Sequence, residues 1–245
     1  MMNPSASMLV IGDELLSGRT RDTNMHYLAL ELTKVGINLI EARFVSDLEP
    51  DIVLAIQQLS RKYDYVFTSG GIGPTHDDIT ADAVGKAFGL TVQLNIEAKK
   101  LLETHYLKKG VELNEARLRM ARTPVGAKLI QNTISAAPGF NVLNVFVMAG
   151  VPTIFKDMVS SVIRTLKAGK PVLSRSLNVM NGEGNIAKKL ENFAKNNTTI
   201  SVGSYPFQLK GKYGTNIVIR GQDGTVLDKA FIALSDLFKG SIDER

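Results

Sequence analysis

The chain of 245 residues has no cysteine, no tryptophan and only three histidines. Without thiols, disulfide staples and thiolate metal sites are excluded, so packing has to supply the stability. His26, His76 and His105 lie far apart, and nothing in their spacing suits a zinc site. No Ser-His-Asp pattern that would support acyl transfer suggests itself. The missing tryptophan removes one stacking platform for nucleic acid. No apolar run approaches the ~18 residues of a membrane span. Residues 1–7 have neither the basic start nor the apolar stretch of a signal peptide. The expectation is a cytoplasmic protein with no membrane and no nucleic-acid partner.

What is present fits a globular protein with a substantial core. Hydrophobic residues make up 44% and charged residues 22%, and the length allows one large domain or one medium domain with an appendage. The net charge of +5 comes from basic residues spread along the chain. The densest group, Arg117, Arg119 and Arg122, reads as the solvated face of a helix. A mildly basic protein suits small anionic ligands.

Met8-Leu9-Val10-Ile11-Gly12 is a short apolar run ending in glycine, as in a buried parallel strand that opens onto a turn. Leu28, Leu32 and Val35 recur at helical spacing before Gly36. Residues 37–45 read as a strand, and Ile52, Ala55, Ile56 and Leu59 form the inner face of a helix begun near Pro50. Tyr65-Val66-Phe67-Thr68 is a third strand. Helical pattern returns over residues 79–88 and 97–106, and strands follow at 128–130 and 142–148. A helix carrying Phe155, Met158, Val162 and Leu166 starts after Gly150-Val151-Pro152. Alternation of this kind predicts a three-layer α/β fold on a parallel or mixed sheet, with ligands bound beyond the carboxyl ends of the strands. The loops at 12–24, 46–49, 70–80 and 149–153 should share that edge.

Ala168-Gly169-Lys170-Pro171 breaks the composition. It separates an expected α/β domain over residues 1–168 from a small α+β domain over 171–245. The second reads βαββα, ferredoxin-like in outline, with a turn at Gly211-Lys212-Tyr213-Gly214. It carries no catalytic pattern, and packing or oligomerisation is its expected role.

The strongest chemical signal is Thr68-Ser69-Gly70-Gly71-Ile72-Gly73-Pro74-Thr75-His76-Asp77-Asp78-Ile79-Thr80. Three glycines between a strand and a helix allow backbone N–H groups to approach an anion, and the helix start adds partial positive charge. Pro74 stiffens the loop. The spacing is neither that of the dinucleotide fingerprint nor that of the P-loop. Two carboxylates beside a phosphate repel it unless a cation lies between, which points to a divalent metal, Mg²⁺ first. One of Asp77 and Asp78 should cap the helix and the other bind metal. Glu14 and Asp13 follow the first strand, Asp47 the second. Asn24 is either a helix cap or a ligand contact. The small residues of Ala136-Ala137-Pro138-Gly139-Phe140 and Ala149-Gly150-Val151-Pro152 come near the same edge.

Gly12-Asp13-Glu14-Leu15-Leu16 with Asn24, then Gly70-Gly71-Ile72-Gly73-Pro74-Thr75 with Asp77-Asp78-Ile79-Thr80, resembles the molybdopterin-binding domain of competence/damage-inducible protein A (CinA). Ala137-Pro138-Gly139-Phe140 and Gly150-Val151-Pro152 extend the resemblance, which covers the first two-thirds of the chain. It implies the fold shared with molybdopterin adenylyltransferases and gephyrin-type domains, and similarity to the N-terminal part of eukaryotic FAD synthase. It also implies self-association into homo-oligomers, and a ligand site with acids at Asp47 and Asp78. Some CinA-like domains are described as metal-dependent pyrophosphatases of ADP-ribose or FAD. Asp13 stands where many relatives have threonine, Val151 replaces a common proline, and the chain resembles short forms without the C-terminal deamidase domain. The expected function is therefore a nucleotide pyrophosphatase, a hydrolase using Mg²⁺, Mn²⁺, Co²⁺ or Ni²⁺ held by Asp78, Asp77 and Glu14. Gly70, Gly71, Gly73, Pro74, Thr75, Asn24, Asp47, Gly139 and Gly150 would bind a phosphate-bearing nucleotide or pterin. Binding without chemistry, or adenylyl transfer to molybdopterin, are the alternatives.

Overall fold

A computed structural model describes residues 3–209 and 211–242. The chain divides into two compact units, residues 1–169 and 170–245. The first strand, β1, begins at Ser5 and runs to Ile11.

In the larger unit β1 lies between β2 (Asn38–Val45) and β3 (Tyr65–Ser69), both parallel to it, and β3 pairs in parallel with β8 (Val145–Met148). β7 (Gly139–Val142) and β6 (Lys128–Ile130) continue antiparallel, giving the order β2-β1-β3-β8-β7-β6. The single strand expected over 142–148 is thus the second arm of a hairpin. The chain reverses at Leu143, which takes a left-handed φ of 52°.

Alternation along β1 sends its side chains into two cores. Leu9 and Ile11 meet Ile52, Ile56 and Leu59 of α3 (Glu49–Lys62) and Ala83 and Val84 of α4 (Thr80–Phe88). Met8 and Val10 meet Leu28 and Leu32 of α2 (Asn24–Lys34) and Phe155 and Met158 of α7 (Pro152–Ile163). A strand buried on both faces reads as a continuous apolar run because neither set of side chains sees water. The result is a helix–sheet–helix sandwich. Pro50 and Pro152 stand in the first turns of α3 and α7, where a missing N–H costs nothing.

Apart from the expected helix over 97–106, found as α5 (Ile96–Lys108), two features have no counterpart in the sequence reading. A single helical turn, α1 (Asp13–Leu16), follows β1. Between α4 and β6 lies a small subassembly of β4 (Val92–Leu94) paired with β5 (Arg122–Pro124), α5 (Ile96–Lys108), α6 (Glu115–Leu118) and a 3-10 turn, Arg119–Ala121. The smaller unit is β9 (Leu173–Val179), α8 (Glu183–Asn196), β10 (Ser201–Leu209), β11 (Lys212–Gly221) and α9 (Gly224–Leu237), with the sheet order β10-β11-β9 and all pairs antiparallel. An isolated bridge from Val179 to Ile242 stands where a ferredoxin-like fourth strand would run. The β10–β11 turn is tighter than expected, since Leu209 already faces Lys212 and Gly214 pairs with Phe207. Among the described residues no helix is long and apolar enough to cross a membrane.

Candidate functional site

Four parallel strands end at the same edge of the sheet. After β1 comes Gly12 with α1, after β2 comes Asp47, after β3 the glycine corner, and after β8 Ala149-Gly150-Val151. These segments border one pocket of about 520 Å³, a volume typical of small-molecule sites. Glu14, Asp47, Gly70, Gly71, Gly73, Pro74, Asp77, Asp78 and Gly150 all line it.

The glycine corner is held by the protein's own contacts. The N–H of Gly70 donates to the Met148 carbonyl at 3.1 Å, and the Thr80 N–H donates to the Gly71 carbonyl at 2.9 Å. The buried Thr80 hydroxyl donates to the Gly70 carbonyl at 3.1 Å. A Cβ on Gly70 would overlap the Ile11 carbonyl, one on Gly71 the Thr80 hydroxyl, and one on Gly73 would come 2.6 Å from Asp78 Oδ2. The sequence suggested glycines that leave room for a ligand. The structure gives a nearer reason: strand end, loop and helix start approach too closely for side chains, and Gly70 and Gly71 take positive φ of 108° and 69°. Among the described residues, no protein group accepts from the N–H of Gly71, Ile72 or Gly73, and all three residues line the pocket. Consecutive amides without an internal acceptor make an anion-seeking concavity.

The acids divide into two kinds. Asp78 closes the loop on itself, its Oδ2 accepting from the Thr75 N–H at 2.8 Å and from the Thr75 hydroxyl at 2.6 Å. The same hydroxyl is also close enough to Asp77 to be the main cause holding that carboxyl below its ordinary range. With one proton to give, Thr75 bonds one acid at a time, and the 2.6 Å geometry favours Asp78. Neither acid caps α4, whose N-cap position is Ile79 with no side-chain bond. That expectation fails because the loop closes one turn before the helix begins.

Asp47 is different. Burial pushes its carboxyl above the ordinary aspartate range, and the negative charges of Asp13, Glu14 and Asp77 push it further, against the help of the Asp13 N–H, which donates to Oδ2 at 2.9 Å. Carboxylates from two other strand ends therefore bear on Asp47. Among the described residues, however, no three acids or histidines converge as a ready-made metal cage.

Asn24 is a strut. It is buried, and its Nδ2 donates to the Ser69 hydroxyl and to the Gly150 carbonyl, both at 2.8 Å, tying α2 to the ends of β3 and β8. The first N–H groups of α2 are taken by the Asp22 carboxylate instead. Asn24 borders a smaller crevice beside the main pocket rather than the pocket itself. Gly139 lies inside β7, against the Val147 carbonyl, and does not line the pocket; nor does Thr75, which acts on it through Asp78.

Sequence reasoning missed the opposite wall. Tyr106 from α5, Met120 from the 3-10 turn, Ser135 and Ile154 complete the lining. Nothing local marks them: Tyr106 and Met120 come from the subassembly between α4 and β6, Ser135 from the loop between β6 and β7, and Ile154 from α7, and only the tertiary fold brings them to one pocket.

Comparison with known proteins agrees with this architecture. Residues 7–172 match the family described as a probable molybdopterin binding domain, and residues 171–244 match the middle domain of FAD synthase. A probable FAD synthase of Caenorhabditis elegans is 32% identical over 97% of this chain, which spans 50% of that relative's length. A protein of Pyrococcus abyssi is 35% identical over 91% of this chain and 93% of its own. The crystal structure of CinA from Thermoplasma acidophilum, a protein of unknown function, superposes on 66% of this chain and 98% of its own, with a TM-score of 0.61 and 28% identity. Strand order, glycine corner and family match converge: this chain belongs to the molybdopterin-binding domain family, in its CinA-like form.

Proposed function

We propose that the pocket binds a phosphate-bearing nucleotide or pterin and hydrolyses a pyrophosphate bond within it, as in ADP-ribose or FAD, with the help of a divalent metal. One observation carries this reading. Three consecutive residues whose backbone N–H groups have no internal acceptor line the same pocket as the carboxylates of Glu14, Asp47, Asp77 and Asp78. The amides suit a phosphate, but the acids oppose one unless positive charge is added.

The donor set fits such an ion. It is all oxygen, and Mg²⁺ takes one or two carboxylates and completes its shell with water and phosphate oxygens, so a closed protein cage is not required. Glu14, Asp47 and Asp77 are the residues that would hold it. Asp78, expected to be a ligand, is mainly occupied with Thr75. The bound ion would supply charge neutralisation at the phosphoryl group. The chain's own contribution is to fix the phosphate on the amides of Gly71, Ile72 and Gly73.

A second reading, binding without chemistry, draws support from the lack of a preformed cage among the described residues. One experiment separates them. The full chain is incubated with ADP-ribose or FAD and with Mg²⁺, Mn²⁺ or Co²⁺, and AMP release is followed. The expected result is metal-dependent turnover that falls at least tenfold in Glu14→Gln and Asp77→Asn. Ligand binding without turnover under every metal would refute hydrolysis and leave the binding module.

A further inference from the structure

Part of the lining of the pocket comes from the subassembly between α4 and β6. That subassembly has a small core of its own, in which Ala98, Leu102 and Ala121 are buried and Leu94, Leu113 and Leu118 pack on them. Tyr106 and Met120 also touch this core, yet both are only half-buried and both line the pocket. The Tyr106 ring is positioned from outside: the Arg117 guanidinium lies 5.0 Å from its centroid, and the His105 ring meets it edge-on at 5.5 Å. Arg117 is in turn anchored on the Glu112 carbonyl and belongs to a helical turn capped by Asn114. Two other lining residues, Ile154 and the 55% exposed Val151, offer apolar surface and no side-chain hydrogen bonds.

A pocket for phosphate alone has no use for this surface, and exposing it to water is unfavourable. We infer that Tyr106, seconded by Met120, seats a planar heteroaromatic ring of the ligand, and that Tyr106 makes the pocket prefer ring-bearing phosphates over bare pyrophosphate. The inference rests on the phosphate-binding reading given above. An aromatic side chain stacks on any nucleobase-like π face, and a thioether makes favourable contacts with ring edges. Holding Tyr106 in place beforehand lowers the ordering cost on binding.

The test is equilibrium binding of the full chain to three probes, AMP, FMN and inorganic pyrophosphate, in wild type, Tyr106→Ala and Tyr106→Phe, with Mg²⁺ present throughout. Tyr106→Ala is expected to weaken AMP and FMN by about tenfold or more while pyrophosphate changes less than about twofold. Tyr106→Phe should keep the ring affinity, because stacking does not need the hydroxyl. An equal loss for pyrophosphate would show a merely structural residue and overturn the inference. So would unchanged AMP and FMN affinity in Tyr106→Ala, or a wild type that binds neither ring probe. Tyr106-dependent ring binding without any pyrophosphate binding would sustain the ring seat and sink the phosphate cradle; pyrophosphate binding without ring binding would do the reverse.

Discussion

Replacing Gly71 by alanine should destabilise the larger unit for a reason that has nothing to do with ligand. Gly71 has φ of 69°, and an added Cβ would run into the hydroxyl of Thr80, a buried residue whose N–H and hydroxyl both hold the corner. The left-handed backbone costs a non-glycine residue roughly 1–2 kcal/mol. Forcing a methyl group into occupied space adds roughly 1–3 kcal/mol. Gly18 supplies the control, with φ of 75° and nothing within 4 Å of the added atom, so Gly18→Ala should show the backbone cost alone. For a unit of this size each kcal/mol moves Tm by about 2–4 °C. Differential scanning calorimetry reads the loss, with hydrogen exchange of the β3 amides identifying the transition that belongs to the larger unit. Thr80→Ala removes the obstructing hydroxyl at a cost of about 1 kcal/mol for its bond. The double variant Gly71→Ala/Thr80→Ala should therefore lose clearly less than the sum of the two single ones. Equal losses for Gly71→Ala and Gly18→Ala, together with strict additivity at 71 and 80, would refute the packing explanation.

Two further outcomes follow from the site. Asp47 has a raised folded-state pKa, so its neutral form favours folding at low pH and its charged form opposes folding once pH rises through that pKa. Asp47→Asn should therefore raise Tm at pH 7, with the gain fading as pH falls below the ordinary aspartate range; thermal melts between pH 3 and 8 would contradict this by showing a constant or inverted difference. Asn24→Ala strands the Ser69 hydroxyl and the Gly150 carbonyl and should cost roughly 2–4 kcal/mol in urea unfolding. Asn24→Asp should cost more, because a carboxylate then faces a carbonyl, and a milder loss for Asp than for Ala would contradict the assigned amide orientation.

The parts of this fold that local chemistry dictates were legible in the sequence. Met8 to Ile11 and Val66 to Thr68 read as strands because both of their faces are buried, and Ile52, Ala55, Ile56 and Leu59 read as a helix because one face is. The glycine corner and the acids at the strand ends were placed by the same logic, since parallel strands deliver their following loops to one edge. The hairpin of β7 and β8 was not legible. Its turn uses Leu143 at positive φ in place of glycine, and part of what steadies it is distant: besides the local bonds from the Asn141 side chain to the Leu143 and Val145 carbonyls, Asn144 donates to the carbonyls of Ser60 and Tyr63 at the end of α3. Asn24 read as either a cap or a ligand contact because its role, bonding Ser69 and Gly150, depends on partners 45 and 126 residues away. Tyr106 escaped for the same reason. A tyrosine on an amphipathic helix looks like packing until the tertiary structure turns it toward a cavity.

The self-sufficient glycine corner bears on how such a pocket changes its ligand over evolution. Because the three glycines answer to Ile11, Thr80 and Asp78 and not to the bound molecule, selection for folding alone is enough to preserve them. The three glycines therefore report on the scaffold, whatever molecule occupies the pocket.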